Sequence, residues 1–398
     1  MKEINTERNL IKLWLDDIED GALEQIKNIA NLPFIYKWVA VMPDSHQGYG
    51  MPIGGVVALE GVISPNMVGK DIGCGMCAVN THIKAEDVTV AMLKEILGKI
   101  REAVPVGFAH HKDKQGDGAM PTRSIGDFSE MGVVAEEYDS ALRQLGTLGG
   151  GNHFIELQKS NEGELWIMIH SGSRNLGSKV ADFYDGIAKD LSKKWHIPNV
   201  MEQELAYLPV DTKEGQNYIK EMQYCVDFAF ANRKLMMDRV CRIVGETVFS
   251  PGVQYQFEPM INIAHNYASL EHHMGRNVWV HRKGATSARE GEVGIIPGSM
   301  GTKSYIVKGL GNPQSFMSCS HGAGRKMGRA EASRRITLEE ADKSMEGIVY
   351  GRWGKDRKGN LDFGEAPQAY KDIDIVMENQ KDLVEIVVEL KPLAVIKG

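Results

Sequence analysis

The run VAVMPDSHQGYGMPIGGVVALEGVISP, residues Val39–Pro65, decides how the chain is read. Branched apolar residues come in short bursts (VAVM, VVAL, GVI) separated by Pro, Asp and Gly. Bursts of this length match strands, and the breakers between them demand tight turns. Working outward, residues 20–30 and 88–103 carry apolar side chains at helical spacing, as at Leu93, Ile96, Leu97 and Ile100. The polar, glycine-rich stretch 107–132 reads as an exposed loop, and ELWIMIH as a buried strand ending on His170. Residues 179–248 read as mainly helical, interrupted near Pro198 and Pro209. Strand patterns return at 277–284, 292–298 and 304–311. Residues 323–336 are rich in helix formers, 354–367 form a polar loop, and 383–398 close the chain with one or two strands. No repeat or low-complexity tract interrupts this order, and Gly- and His-rich segments recur throughout. The expected class is α+β: one large mixed α/β unit over residues 1–398, with a β-sheet core and surrounding helices.

The 398 residues are 42% hydrophobic and 25% charged, ordinary for a globular chain. A net charge of -7 excludes a broadly basic nucleic-acid binder, so any contact with phosphate must use locally gathered cations. Five scattered cysteines are too few for a disulfide framework and fit a reducing compartment. The opening MKEINTERNLIKLWLDD has charges throughout and no apolar core of a signal peptide. No apolar run approaches the roughly 20 residues that span a bilayer. A cytoplasmic protein without membrane contact is expected.

Several motifs carry chemistry. In KDIGCGM, Asp71 and Cys74 lie on a glycine-bent backbone that lets a carboxylate and a thiolate reach one divalent cation; a small buried cysteine in a turn is the plainer alternative. Cys74 and Cys77 also spell CxxC, open to a redox pair or half a zinc knuckle, although no second CxxC exists. LGTLGGGNHFIE carries Asn152, His153 and Glu156; IMIHSGSR carries His170 and Arg174; INIAHNY carries His265 and Asn266. Any one of these histidines reads as a hydrogen-bonded structural residue. Three, each beside Gly, Ser or Asn at the end of an apolar run, read better as a site on a rigid scaffold. Asp71, Cys74, His153, His170 and His265 make a set for two nearby metal ions sharing one ligand, and by softness the set suits zinc better than manganese.

In SCSHGAGRKMGR, His321 precedes glycines and an expected helix start, where free N–H groups and Arg325, Lys326 and Arg329 favour an anion. A neutral imidazole held beside phosphate can attack phosphorus; a turn followed by a solvated basic helix is the plainer alternative. IIPGSMGTKSY is a near miss to a phosphate loop and can present backbone groups with Ser299 or Ser304. Arg174, Lys283, Arg289 and Arg325 can form a local track for RNA phosphates, or each can be a solvated surface charge. His110–His111 and His272–His273 read as surface, and His82, His196 and His281 lack supporting neighbours. His46 stays open, while Asp44 can support a metal ligand from behind.

These motifs, in the order MPDSHQGYGMPIGG, VGKDIGCGM, LGGGNHFIE, HSGSR, HNY, GSMGTKS and SHGAGR, with the ending VIKG, resemble the RtcB family of GTP-dependent RNA-splicing and repair ligases over nearly the whole chain. The sequence departs from the family pattern at Gly328, where a serine is usual. The resemblance implies a pair of Mn2+ ions, one on Asp71, Cys74 and His153 and the other on Cys74, His170 and His265. It implies GTP against Asn152, His153, Phe154, Ile155, Glu156, His265, Asn266, Pro297, Gly298, Ser299, Met300, Ser304, His321, Gly322, Ala323, Gly324 and Lys397, with Tyr370 as a stacking surface for guanine. His321 would become guanylylated. The partner would be RNA bearing a 2′,3′-cyclic phosphate or 3′-phosphate and a 5′-hydroxyl, handled by a monomer in transfer-RNA splicing or RNA repair. The alternative is a metal-dependent phosphohydrolase that opens cyclic phosphates without joining ends.

Overall fold

The deciding run folds as two long antiparallel strands, Ile35–Tyr49 and Met51–Leu59. Their register slips three times, between Ile35 and Val39, Val41 and His46, and His46 and Tyr49, and Asp44 sits in the second slip. Such irregularities re-aim side chains at a sheet's edge. The computed structural model describes residues 1–121, 131–197, 199–355 and 359–398. Part of the 107–132 loop, the expected break at Pro198 and the middle of the 354–367 loop lie outside the described residues.

Two large sheets carry the described chain. One runs in the order Lys2–Asn5, Leu10–Leu13, Ile35–Tyr49, Met51–Leu59, Arg276–Lys283, Asn266–His273. The other runs Ile261–Ala264, Gly75–Lys84, Glu164–Ser171, Phe154–Ser160, Val384–Lys397, Ser304–Gly309, Val293–Ile296, with Val349–Tyr350 added parallel to Val384–Lys397. Alternation along Gly75–Lys84 sends Cys77 and Val79 toward helices Val90–Ala103 and Lys213–Val248, and Met76 and Ala78 toward Phe154, Met168 and Met300 on the other face. Both faces are covered, and the fold is α+β. Cys77 therefore leaves Cys74, and all five cysteines are free, which removes the redox-pair reading.

Gly75 shows how closely the strands approach the site. A Cβ there would stand 1.9 Å from the Ile263 carbonyl oxygen. Gly75 pairs with both Ala264 and Ser171, so one glycine lets the neighbouring strands deliver His265 and His170 to Cys74. Gly75→Ala is expected to cost about 3 kcal/mol in urea unfolding, the top of the usual overpacking range, because the obstacle is backbone and cannot swing aside. A loss under about 1 kcal/mol would show that the strands separate freely here.

The expected helices at 20–30 and 88–103 form as Asp20–Ala30 and Val90–Ala103, and the long helical region as Arg174–Lys194 and Lys213–Val248. The helix expected directly after His321 does not start there. It begins at Arg329 and ends at Arg335. Gly324 is left-handed at φ 73, and Arg325 bridges Tyr370, so the turn is pulled into extended backbone. Of His272 and His273, both on strand Asn266–His273, the first is exposed as expected, and the second is corrected: it is buried against Glu271. His281 is buried too, accepting the Ser64 N–H at 3.1 Å.

Candidate metal and nucleotide centre

Cys74 ends a glycine turn in which its N–H donates to Asp71 O at 3.0 Å, and its own carbonyl accepts the His265 N–H at 2.8 Å. Main-chain bonds thus set Asp71, Cys74 and His265 in mutual register before any side chain acts. His170 arrives from strand Glu164–Ser171, and His153 from the glycine loop before Phe154–Ser160. Cys74 Sγ lies 3.4 Å from His153 Nε2 and 3.3 Å from His170 Nε2. His153 Nε2 is 3.0 Å from Asp71 Oδ2, and His170 Nε2 is 3.4 Å from His265 Nε2.

The outward ring nitrogens decide what the inward ones offer. His153 Nδ1 faces the Leu148 carbonyl at 3.0 Å, and His170 Nδ1 faces the Asn152 carbonyl at 3.1 Å. A carbonyl only accepts, so both Nδ1 atoms carry protons; the His170 Nε2 lone pair then faces the thiol, while His153 Nε2 lies between the Cys74 sulfur and the Asp71 carboxylate. Burial pushes His170 and His265 well below the ordinary imidazole value, keeping them neutral. Burial, then Asp71, raises the Cys74 thiol, a direction a nearby divalent cation reverses. Two overlapping groups, Asp71–Cys74–His153 and Cys74–His170–His265, each bring their donor atoms within 4.8 Å of one another. A carboxylate, a thiol and three imidazoles converging on two overlapping positions are the arrangement a metal pair requires. Three protein donors per ion leave further positions open for phosphate oxygens.

His321 follows strand Ser318–Ser320 and stands next to this centre, its ring centroid 4.7 Å from that of His265. Asp44, fully buried, holds it: one carboxylate oxygen accepts the His321 N–H at 3.1 Å and lies 2.6 Å from Nδ1. The proton is thereby fixed on Nδ1 and the Nε2 lone pair is left free. Asp44 was expected behind a metal ligand; the structure gives it to His321 instead. At Gly324 a Cβ would meet the Asp44 carbonyl at 2.1 Å, so the turn after His321 can pack on this strand only as glycine. His46 bonds the Asp44 carbonyl through Nδ1, and burial lowers it to about 4.

A cavity of about 330 Å³ opens above His321 and the metal-competent cluster. Asn152, Phe154, His265, Asn266, Pro297, Gly298, Ser299, Met300, Gly322, Ala323, Gly324, Tyr370 and Lys397 line it as well. His153, Ile155, Glu156 and Ser304, also expected at the nucleotide, do not reach its wall, His153 being turned to the Cys74 cluster. Ile155 faces the helical core, and Glu156 is buried against Gln158, where burial raises it to about 7. Ser304 accepts the Gly298 N–H at 3.2 Å and so braces the loop over the cavity. The Ala323 N–H is already given to Pro297 O at 3.0 Å, joining the two glycine-rich turns.

The four cations expected to form one track separate. Lys283 and Arg325 line the cavity, with Lys283 lowered by burial to about 7. Arg174 is turned back onto Thr147 Oγ1 and Gly107 O, and Arg289 pairs with Glu271 on another face. Two residues no motif singled out organise the site. Arg233, fully buried on helix Lys213–Val248, donates to Gly73 O and Ser171 O at 2.9 Å, tying together the segments that carry Cys74 and His170. Glu365 gathers Arg325 (3.1 Å), Arg329 (2.7 Å), Lys397 (3.5 Å) and the Tyr370 hydroxyl. Burial opposes its ionisation, but Lys397, Arg329 and Arg325 hold it down near about 2. Three cations around one carboxylate leave this wall positive, suited to an anion.

Fold and site define a mixed α+β protein with a two-metal-competent Cys–His–Asp cluster beside a carboxylate-held histidine. The chain belongs to the RtcB family: the family described as tRNA-splicing ligase RtcB matches residues 25–398. It is similar to the RNA-splicing ligase RtcB of Escherichia coli K12, at 39% identity over 99% of both chains. It is also similar to the tRNA-splicing ligase RtcB of Pyrobaculum aerophilum, at 36% identity over 98% of this chain and 94% of the relative. The tRNA-splicing ligase RtcB of Thermococcus kodakarensis is 34% identical over 96% and 92% respectively. Among the described residues no helix is long and apolar enough to cross a membrane.

Proposed function

We propose that the protein is an RNA ligase that joins a 3′-phosphate or 2′,3′-cyclic phosphate end to a 5′-hydroxyl end, using GTP and Mn2+, in transfer-RNA splicing or RNA repair. The observation that carries this reading is the free Nε2 of His321, aimed by Asp44 and 4.7 Å ring-to-ring from the ligand set at His265. Asp71, Cys74 and His153 would hold one ion and Cys74, His170 and His265 the other, neutralising phosphate charge for in-line attack. His321 Nε2 attacks the α-phosphorus of GTP; the P–N bond forms as the bond to the β-phosphate oxygen breaks, and pyrophosphate leaves. An oxygen of the RNA 3′-phosphate, freed from a cyclic phosphate by water where necessary, then attacks the same phosphorus and releases His321. The RNA 5′-hydroxyl attacks the activated 3′-phosphorus, loses its proton and expels GMP.

Asn152, Phe154, Tyr370 and Lys397 would receive the nucleotide, with the Tyr370 hydroxyl anchored on Glu365 and the Arg325 guanidinium 5.0 Å from its ring. Asp44 comes from one sheet and His170 from the other, which supports residues 1–398 working as one catalytic unit. The relatives are named as ligases, so the phosphohydrolase alternative is not favoured. The test supplies two RNA oligonucleotides, one 3′-phosphorylated and one with a 5′-hydroxyl, together with GTP and Mn2+. One joined product per GTP converted to GMP is expected. Trimmed ends with GTP untouched would refute the proposal.

A further inference from the structure

We infer that a second cleft, next to the His321 cavity and walled by Tyr350, Trp353, Arg101 and Arg352, is a subsite for one unpaired nucleotide of the RNA close to its reacting end. The inference rests on the RNA-joining reading above and identifies where that RNA is gripped.

The cleft measures about 400 Å³ and shares Met300 and Lys397 with the His321 cavity, so the two are contiguous. Strand pairing fixes their spacing. Tyr350 lies opposite Val395 on the closing strand, two residues before Lys397, which is about 7 Å along a strand. That is close to the reach of one nucleotide step.

The aromatic pair is held by its polar ends. Asp342 accepts the Trp353 Nε1–H at 2.7 Å and the Tyr350 hydroxyl at 2.9 Å. The two rings stand 5.6 Å apart at 59°, and Trp353 is backed edge-on by Phe363 at 5.5 Å. Pinned rings keep apolar faces available at little further entropic cost, as base stacking demands. Arg101, in the last turn of helix Val90–Ala103, and Arg352 are exposed and have no carboxylate partner among the described residues. The two side-chain carboxylates on the wall are engaged already. Asp362 accepts from Ser333 and the Gly364 N–H, and Glu365 is neutralised by its three cations. Two free guanidiniums beside two anchored rings match a phosphodiester carrying a base, and stacking of this kind takes any base.

The test uses the full chain and a fluorescently labelled single-stranded RNA ending in a 3′-phosphate. Tyr350→Ala and Arg352→Ala are each expected to weaken RNA binding about tenfold, while GTP affinity and GMP attachment to the protein stay within about twofold of the unmodified chain. Moving a single abasic residue along the RNA should find one position where the unmodified protein loses affinity and Tyr350→Ala does not. RNA affinity unchanged in both variants overturns the subsite. So does a loss of GTP affinity instead, which would make the cleft part of a free-nucleotide site. Arg352 is exposed, so its variant reads out even if Tyr350→Ala fails to fold. Absence of joined product from the unmodified protein would count against the RNA-joining reading, whereas an unchanged dissociation constant counts against the subsite alone.

Discussion

Replacing His321 by alanine is expected to abolish covalent labelling of the protein by α-labelled GTP and Mn2+, a label that in the unmodified chain should be acid-labile and alkali-stable. The chemistry leaves no substitute. The cluster histidines are turned to the metal-competent centre, their Nδ1 protons committed to Leu148 and Asn152 carbonyls at His153 and His170. His46 also lines the cavity, but behind its Nδ1 stands only the Asp44 carbonyl, whereas the Asp44 carboxylate, which can stabilise a ring that becomes cationic, is on His321. A label that survives in His321→Ala would remove the nucleophile from the proposal.

Asp44 makes the same prediction quantitative. The carboxylate oxygen that meets Nδ1 also accepts the His321 backbone N–H. In Asp44→Asn that N–H selects the amide oxygen for the same position, so the ring keeps its tautomer and loses only the charge. A fall in labelling rate of roughly 10²-fold is expected, the low end of what a positioned acid–base partner contributes. Asp44→Ala also frees the ring to turn and strands a backbone donor, and roughly 10³- to 10⁴-fold is expected. GTP affinity should hold within about twofold in both. Equal losses in rate and affinity would mean that Asp44 shapes the cavity rather than the histidine.

Much of this was legible because it is local. A histidine ending an apolar run sits at a strand end, and Cys74 between glycines sits on a turn; those rules placed the ligand candidates without any fold. What tertiary register decides was not legible. Arg233 has the sequence context of a solvated cation on an amphipathic helix, and only the packing of that helix behind Gly73 and Ser171 reveals it as a clamp. Glu365 sits in a polar loop, and nothing near it in sequence announces Arg325, Arg329 and Lys397. The basic residues after His321 suggested a helix start because composition favours helix there. The left-handed Gly324 and the Arg325–Tyr370 bridge win instead, as backbone geometry outweighs weak propensity.

Cys74 is the residue on which the whole metal-competent centre turns, since it alone belongs to both donor groups. Cys74→Ala should lower bound Mn2+ from two ions per chain to well below one, and GMP attachment by at least roughly 10³-fold through lost charge neutralisation. Cys74→Ser should behave similarly, because a hydroxyl does not ionise as a thiol does beside a cation. Folding itself supplies the control. The side chain is small and buried, so without metal either variant should stay within about 1.5 kcal/mol of the unmodified chain. In Mn2+ at a hundred times its dissociation constant, the unmodified chain should gain about 2.7 kcal/mol of stability for each ion held, about 5.4 kcal/mol for the pair, and the variants almost none. A variant that keeps this gain would show that the ions bind elsewhere and that the convergence of sulfur and imidazole here is structural. A variant that loses it, while His321→Ala retains it, would separate the metal centre from the nucleophile within one cavity.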